Sequence, residues 1–296
     1  MKKYFFLLAF TIQFFLYSQT VVINEIDVDN PSVDTQEFIE LKSDTPNFSL
    51  DDYVLVFFNG STSGNDSSYL TIDLDGTVTD ENGLLLIGSG EVNPLPQLII
   101  SSNIIQNGAD AVAIYEGSSN DFPEGTLATQ TNLIDALAYD TSDSDDTVLM
   151  GLLGVTEQIN EGSSGNTNSI QRNNDGSYSV SSPTPRQLND GSGIIFNTLQ
   201  IIANTTKVIE GETFEISFQT ETNVDTDYTF SFVLDNYNFN SSDFTGNTTL
   251  TIPAGTNNVT TTITVTDDTV NEGDEELSIV LNDLTYPVIA LSLIHI

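Results

Sequence analysis

Cysteine and tryptophan are absent from this sequence, and its 296 residues include one histidine and six basic residues, Lys and Arg together. The absence of cysteine excludes disulfides, a cysteine nucleophile and the zinc sites that cysteine and histidine build together. Six basic side chains cannot form the patch with which a nucleic-acid-binding protein neutralises phosphates, so we expect no nucleic-acid partner. The stability of the fold must therefore come from burial or from bound ions.

Acidic residues, in contrast, are abundant: 43 Asp and Glu give a formal net charge of −37 and a pI near 4.1. Hydrophobic residues make up 38% and aromatic residues 9%, which is enough for packed cores and argues against disorder despite the charge. The length is that of about two domains.

The first residues have the layout of a secretory signal peptide. A basic start at residues 1–3 precedes an apolar run at 4–17, and the small residue Ser18 follows where a signal peptidase would cut. The alternative is a membrane anchor, but as a helix the run would span roughly 21 Å, less than a hydrocarbon core of about 30 Å. We therefore predict that residues 1–18 are a cleaved signal peptide.

Removal of that peptide leaves four basic residues, Lys42, Arg172, Arg186 and Lys207, and a net charge of −39. Because an exported chain without cysteine cannot depend on disulfides, a bacterial source is favoured over a eukaryotic one. No later apolar run is long enough to span a bilayer, so we expect no transmembrane segment and a secreted or cell-surface location.

The rest of the sequence reads as strands and turns, which predicts an all-β fold of sandwiches or barrels. Apolar and polar residues alternate most clearly at 214–219, 228–232, 259–266 and 277–281. Each of these patterns places one face of a strand in a core and the other in water. The first part is less regular, and its strands are expected at 21–26, 37–42, 53–58, 69–73, 84–87, 111–116 and 133–139.

A domain boundary is predicted near residue 191. Two prolines at 183 and 185 precede the sequence NDGSG at 189–193. Proline fixes the backbone angle φ and glycine leaves it free, so the two together are typical of a boundary between domains. We expect one domain over 19–190, a linker at 191–197 and a second domain over 198–290.

Several short pieces of residues 20–190 resemble the lamin tail domain as it occurs in secreted bacterial proteins. In order they are VINEI at 22–26, FIEL at 38–41, NGADAVAIY at 107–115, LIDALAY at 133–139, NSIQR at 168–172 and PTP at 183–185. The resemblance implies an immunoglobulin-like β-sandwich, here with extra loops around 61–68 and 117–132. The glycine that usually follows PTP in that family is Arg186 in this sequence.

That family carries no catalytic constellation, and residues 19–190 have no His and no Cys, which excludes a Ser–His–Asp triad there. Two loops are rich in aspartate, one around Asp27, Asp29 and Asp34, and the other with the sequence DTSDSDD at 140–146. Such loops can supply oxygen ligands to calcium, but a solvated acidic loop is the favoured interpretation. Glu25 and Glu40 are expected to be structural.

Residues 198–290 resemble a Calx-beta domain, a module associated with sodium–calcium exchangers and frequent in bacterial surface proteins. The matching pieces are VIEGE at 208–212, SDF at 242–244, LTIPAG at 250–255 and ITVTDDTVNEGDE at 263–275. The resemblance implies a second β-sandwich, so the expected fold class is all-β with two immunoglobulin-like sandwiches in tandem.

A calcium site is predicted at one end of this second domain. A strand over 259–266 delivers Asp267 and Asp268 to one end, and the turn that follows returns Glu272 towards them. By resemblance, Glu210, Asp243, Asp267, Asp268 and Glu272 fall on positions that bind calcium in the calcium-sensing members of the family. The alternative is that the acidic signature serves the fold alone, as in many bacterial copies.

The last six residues, LSLIHI at 291–296, look foreign to the protein. They are what the end of a transposase-based sequencing adapter, CTG TCT CTT ATA CAC ATC, encodes. We favour this origin over a real final strand. The second domain would then be incomplete at its carboxyl end, without the further aspartates that complete the site in the calcium-sensing members.

The expected function is that of a secreted, non-enzymatic protein with an adhesive or structural role at the cell surface, with calcium as its ion. Its partner would be an extracellular protein or a polysaccharide of unknown identity. Two alternatives stay open: the chain is the accessory front half of a secreted nuclease or phosphatase, or it is a carbohydrate-binding module.

Overall fold

A computed structural model describes residues 21–235, 239, 241–267, 277–282, 284–285, 287–291 and 294–295. The predicted signal peptide lies outside these residues. Within them the chain is mostly β-strand with one short α-helix, which confirms the expected β-rich class. No helix in this part of the chain has the length and apolar character needed to cross a membrane.

The amino-terminal part, residues 21–190, contains two sheets. Its strands are β1 (Val21–Asp27), β2 (Phe38–Ser43), β3 (Tyr53–Asn59), β4 (Ser67–Asp73), β5 (Leu84–Gly88), β6 (Leu98–Ile99), β7 (Asp110–Glu116), β8 (Leu133–Asp140), β9 (Gln158–Asn160), β10 (Ser169–Arg172) and β11 (Tyr178–Ser181). Sheet A has the order β11-β10-β1-β2-β5-β6, and sheet B has the order β4-β3-β7-β8-β9. The seven strands expected in this part are β1 to β5, β7 and β8, with ends displaced by two residues at most.

Sheet B is covered on both faces, which explains why its strands lack alternation. Leu55 and Phe57 of β3 join the core shared with sheet A, whereas Val54 and Phe58 pack into a second cluster on the opposite face. A strand buried on both faces reads as a continuous apolar run, as VLVFF does at 54–58.

The sequence analysis missed the helix that covers this second face, α1 (Thr147–Leu153). The side chain of Asp146 accepts hydrogen bonds from the backbone N–H groups of Val148 and Leu149 at its start. Gly154 ends the helix with a φ of 73°, in the left-handed region that favours glycine. A seven-residue helix shows too little periodicity to be recognised in sequence, and it needs its packing on sheet B in addition to its caps to be stable.

The carboxy-terminal part, residues 197–291 with 294–295, contains two further sheets. Its strands are β12 (Asn197–Ala203), β13 (Thr213–Thr220), β14 (Tyr228–Asp235), β15 (Phe244–Thr245), β16 (Thr249–Ile252), β17 (Asn258–Val265), β18 (Ser278–Asn282), β19 (Val288–Ala290) and β20 (Ile294–His295). Sheet C has the order β15-β17-β13-β12-β19, and sheet D has the order β16-β14-β18-β20.

In this part, the alternation of apolar and polar residues along the strands corresponds to alternation of buried and exposed side chains. In β13, Phe214, Ile216 and Phe218 are fully buried, whereas Glu215 and Gln219 face water. Residues of sheets C and D share one apolar cluster. At its centre the ring of Phe218 lies 5.1 Å from that of Phe230.

The apolar clusters divide along the chain, since those of the first part lie within residues 21–170 and that of the second within 199–288. Few contacts cross between the two: the Leu95 N–H donates to the Ala290 carbonyl at 3.1 Å, and the Asn82 amide donates to the Ile194 carbonyl at 2.9 Å. The predicted domain limits agree with this separation but stay a prediction, as does the origin of residues 291–296.

Candidate functional site

Three segments that carry predicted calcium ligands meet at one end of sheet C. The Gly211 N–H donates to the Val265 carbonyl at 3.1 Å, and the Val265 N–H donates to the Glu212 carbonyl at 2.9 Å. On the other side of β17, the Thr266 N–H donates to the Asp243 carbonyl at 2.8 Å. The residues that follow β17 therefore lie between the segment after Glu210 and the segment at Asp243.

Gly211 allows Asp267 to lie close to this segment. Its φ is 79°, and a Cβ built on it would lie 3.5 Å from the Cβ of Asp267. Any other residue here would adopt a strained backbone conformation, although its Cβ would lie at ordinary van der Waals distance from the aspartate. This glycine follows the predicted ligand Glu210 directly in the sequence.

The ligand set itself is not complete among the described residues. Glu210 and Asp267 are exposed and Asp243 is half-buried. Asp268 and Glu272, the other two predicted ligands, lie outside the part of the chain that the structure describes. Within that part, no three His, Cys, Asp or Glu side chains come close enough together to hold a metal ion.

The amino-terminal part buries carboxylates in large number. Ten of them are buried: Glu25, Asp27, Asp29, Glu37, Glu40, Asp80, Asp110, Asp135, Asp140 and Glu161. The favoured interpretation of solvated loops was therefore wrong for Asp27, Asp29 and Asp140. Most of these groups accept hydrogen bonds from uncharged donors, some of them neighbours in the sequence, as Asn30 is for Asp27, and some remote, as Thr184 is for Glu25.

Glu25 and Glu40 face each other on β1 and β2 and hold the closing segment of this part. Glu25 accepts hydrogen bonds from the Thr184 N–H at 2.8 Å, from the Thr184 hydroxyl at 2.7 Å and from the Ser169 hydroxyl at 2.6 Å. Glu40 accepts from the Arg186 N–H at 2.6 Å. Burial raises the pKa of Glu25, and burial followed by the charge of Glu25 raises the pKa of Glu40.

Arg186 occupies a backbone conformation that favours glycine, with a φ of 60°. The arginine side chain compensates with contacts: its Nη2 lies 3.1 Å from Asp80 Oδ2, and its guanidinium lies over the Phe196 ring at 4.9 Å from the ring centre. Both Arg186 and Asp80 are largely buried.

A second group of buried acids surrounds the loop after β1. Asp27 accepts from the Asn30 amide at 2.7 Å, and Glu161 accepts from the Val28 N–H at 2.8 Å. Burial, reinforced by the charge of Glu161, raises the pKa of Asp27 to about 9. Burial likewise raises the pKa of Glu161 to about 7. These carboxyls therefore hold protons at a pH where an exposed carboxyl has lost them.

The amide of Asn107 connects Asp29 with Asp34, donating to an oxygen of each at 3.1 Å. Nearby, Glu37 Oε1 accepts from the Ile105 N–H at 3.2 Å, while Glu37 Oε2 has no hydrogen-bond partner among the described residues. Burial raises the pKa of Glu37 to about 7. The donors around these acids are uncharged.

The DTSDSDD loop divides between structural and exposed residues. Asp140 accepts from the Ser142 N–H at 2.8 Å, from the Asp143 N–H at 3.0 Å and from the Gln158 amide at 2.9 Å. Asp146 caps helix α1. Only Asp143 and Asp145 remain exposed acids there, so a calcium loop gains no support.

The structure also reveals a pocket that the sequence analysis missed. It has a volume of about 360 Å³, and polar side chains dominate its lining: Asn24, Lys42, Asp44, Arg172, Asn174 and Asp175. Two of the four basic residues that follow the predicted signal peptide line it, although they are 130 positions apart. The sequence contained one signal for this pocket, the small number of basic residues. When two of so few basic residues lie together, a role for them at that place is indicated.

Comparisons with known proteins leave the family open. No family model and no curated protein matches the chain. One similar solved structure is described as the type II cohesin dyad from the adaptor ScaA scaffoldin of Acetivibrio cellulolyticus, at 9% identity over 93% of this chain and 98% of that chain. Its TM-score is 0.26, a similarity too low to support an argument about fold or function.

Proposed function

We propose that this chain is a secreted, non-enzymatic protein with an adhesive or structural role at the cell surface, and that calcium binds at the end of sheet C. Its architecture would be two immunoglobulin-like β-sandwiches in tandem, a lamin-tail-like one over 19–190 and a Calx-beta-like one over 198–290. In support of the sandwiches, sheets A and B contribute to one core and sheets C and D to another.

The observation that carries the calcium proposal is the meeting of three acidic segments at one end of sheet C. Backbone hydrogen bonds fix the segment after Glu210 and the segment at Asp243 on either side of the end of β17. The sequence then continues through Asp267 and Asp268 to Glu272. The segments are positioned by the sheet itself, so their proximity does not depend on an ion.

If the carboxylates of these segments approached one another to 4 Å, each pair would repel by about 1 kcal/mol in water. Calcium would convert the repulsion into coordination, since it takes six to eight oxygen ligands and tolerates irregular geometry. Extracellular modules bind calcium with dissociation constants of about 10⁻⁴–10⁻³ M. The proposed site is therefore a weak one that fills only at calcium concentrations of about 10⁻³ M and above.

Thermal unfolding in calcium and in EDTA tests the proposal. At a calcium concentration ten times the dissociation constant, one site stabilises its domain by about 1.4 kcal/mol, which raises the Tm by several degrees. We expect the double variant Asp243→Asn with Asp267→Asn to lose this rise.

The matched control is Asp225→Asn, which removes the same charge at an exposed position. Asp225 follows β13 and so lies at the opposite end of sheet C from the proposed site. Its calcium response should equal that of the unmodified chain. Identical melting curves in calcium and EDTA for the unmodified chain would rule the site out.

A further inference from the structure

The chain between the two parts, residues 191–197 (the joint), is fastened to the amino-terminal part by one side-chain amide. The Asn82 amide donates to the Ile194 carbonyl at 2.9 Å, and the Ile194 N–H donates to Asn82 Oδ1 at 2.8 Å. Two hydrogen bonds to the backbone of one residue fix both its position and its orientation, as pairing with a neighbouring strand does. Asn82 and Ile194 are 112 positions apart, so this contact is a tertiary one and not a local turn.

Gly193, next to Ile194, is required by close packing. Its φ is 84°, and a Cβ built on it would lie 2.7 Å from Asn82 Oδ1 and 2.8 Å from Leu188 Cδ1. Any side chain at this position would therefore strain the backbone and displace Asn82. The glycine thus lets the joint approach the amino-terminal part closely, which is a different use from that of a glycine in a flexible linker.

A second contact holds the joint at Phe196. The Arg186 guanidinium lies over the Phe196 ring, 4.9 Å from the ring centre, and Phe196 is only 7% exposed. The guanidinium is itself fixed, because its Nε and Nη2 donate to Asp80 Oδ2 at 3.2 and 3.1 Å. Asp80 Oδ1 also accepts from the Asn82 N–H at 2.9 Å. Asp80 therefore supports both of the residues that hold the joint.

Apolar burial adds to these contacts. Phe196 and Ile289 are both buried, yet neither belongs to an apolar cluster that the described residues of either part form. In β19 the side chain of Val288 enters the core of the carboxy-terminal part, so that of Ile289, the next residue, points away from this core. Phe196 and Ile289 line a cavity of about 330 Å³ together with Leu95 and Pro96 of the amino-terminal part. Their burial therefore comes from the junction of the two parts.

The joint leads directly into sheet C. Asn197 begins β12 immediately after Phe196, and its N–H donates to the Pro287 carbonyl at 2.9 Å. Within the sheet, Leu199 of β12 pairs with Thr220 at the end of β13, whereas the predicted calcium ligands lie beyond the start of β13. The joint and the proposed calcium site are therefore at opposite ends of sheet C.

From these contacts we propose that the joint is a clasp and that the two parts of the chain move as one rigid body. The proposed surface protein is then a stiff spacer, which holds the calcium end of sheet C at a fixed distance and angle from the amino-terminal part. This rigidity does not depend on calcium, because the contacts of the joint lie at the other end of that sheet.

Nuclear magnetic relaxation of the isotope-labelled chain from residue 19 onwards tests the proposal. Because the tumbling time of a body rises with its volume, the amides of 21–190 and of 197–265 should report one shared rotational correlation time, that of the whole chain. A flexible linker would give each part a shorter time of its own, shortest for the carboxy-terminal part, which has about a third of the residues. The result should be the same in calcium and in EDTA.

The double variant Asn82→Ala with Phe196→Ala removes both contacts, and Phe196 belongs to none of the four apolar clusters that the described residues form. We expect the shared correlation time to split into two shorter ones. The Ile194 amide should exchange its hydrogen about fivefold faster or more, the usual effect of losing one hydrogen bond. The matched control, Asn120→Ala with Ile195→Ala, changes an exposed asparagine and a 77% exposed residue of the joint, and should behave as the unmodified chain.

Melting curves show whether both variants are folded. The proposal is overturned if the unmodified chain already gives two separate correlation times, if the folded double variant keeps one shared time, or if the control splits as well. A missing calcium response with a shared correlation time contradicts the proposed calcium site alone. Two separate times with an intact calcium response contradict the clasp alone.

Discussion

The two parts of the molecule share an acidic composition but place their acids differently. The amino-terminal part buries ten carboxylates, whereas the only buried polar side chains among the described residues of the carboxy-terminal part are Thr220 and Thr261. The first part thus combines its apolar core with a network of hydrogen-bonded acids. The second has an apolar core and buries no acid among its described residues. Net charge therefore says little about the forces that hold either part together.

Ion pairs do not offset the desolvation free energy of most of these buried acids. Of the ten buried carboxylates, those of Asp135 and Asp80 pair with an arginine. The others depend on uncharged donors and on retained protons, as the raised pKa values of Asp27, Glu37 and Glu161 indicate. Three predictions test whether the two parts differ in this way.

The largest effect is expected from truncating a glutamate in each part. Glu25→Ala removes the acceptor of the Thr184 N–H and leaves the hydroxyls of Thr184 and Ser169 with only their longer hydrogen bonds, of 3.3 Å to Asn189 Oδ1 and 3.4 Å to the Ser181 carbonyl. We expect it to lower the free energy of unfolding by about 3 kcal/mol, measured by denaturant unfolding. Glu215→Ala, at an exposed strand position in the other part, should change it by less than about 0.5 kcal/mol. Equal losses would remove the distinction.

The next effect concerns pH. Asp27 has a pKa of about 9 in the fold and 3.8 as the ordinary value, so the folded chain holds a proton between these values that the unfolded chain has released. Its contribution to stability is therefore complete below about pH 4 and is lost as the pH rises towards 9, by at most about 1.4 kcal/mol per pH unit. Glu37 and Glu161, with pKa values of about 7, act in the same direction.

Hydrogen exchange between pH 6 and 8, corrected for the intrinsic exchange rate, measures the pH dependence of stability separately for each part of the chain. Peptides from residues 21–190 should lose protection as the pH rises, and those from 197–265 should not. Asp27→Asn should reduce the slope, because the amide no longer titrates. Asp225→Asn, at an exposed position, should leave the slope unchanged. A slope that is the same in both parts would contradict the comparison.

The smallest effect is expected from single hydroxyl groups. Ser169 donates to Glu25 in a fully buried position, whereas Ser217 shares an exposed cross-strand hydrogen bond of 2.8 Å with Thr260. We expect Ser169→Ala to cost about 1.5 kcal/mol and Ser217→Ala about 0.5 kcal/mol in thermal unfolding. The reverse order would show that buried polar contacts contribute no more than surface ones.

The positions of strands could be predicted from the sequence where one face of the strand packs on a core and the other faces water. The alternation around Phe214, Ile216 and Phe218 is a local property, and the burial in β13 follows it. Turn residues between short apolar runs located β1 to β5 for the same reason. Short elements such as α1 and β9 were missed because seven and three residues are too few to show a period in the sequence.

The candidate sites were less predictable because their partners come from remote segments. The donors to Glu25 lie 144 to 159 positions away, so nothing near Glu25 in the sequence indicates that it is buried. Lys42 and Arg172 meet only because β1 lies between their strands. Asp267 and Asp243, in contrast, were expected at one place through resemblance, and their segments do lie side by side.

The two glutamates on β1 and β2 have a consequence for how this part can be connected to other proteins. Glu25 binds Thr184, and the Asn189 amide donates to the Asn24 carbonyl at 2.9 Å, so the chain enters and leaves residues 21–190 at neighbouring points. A unit with adjacent ends can be inserted into a loop of another protein, or joined end to end and opened elsewhere, without separating its strands. The acids of β1 and β2 thereby hold the two ends of residues 21–190 next to each other.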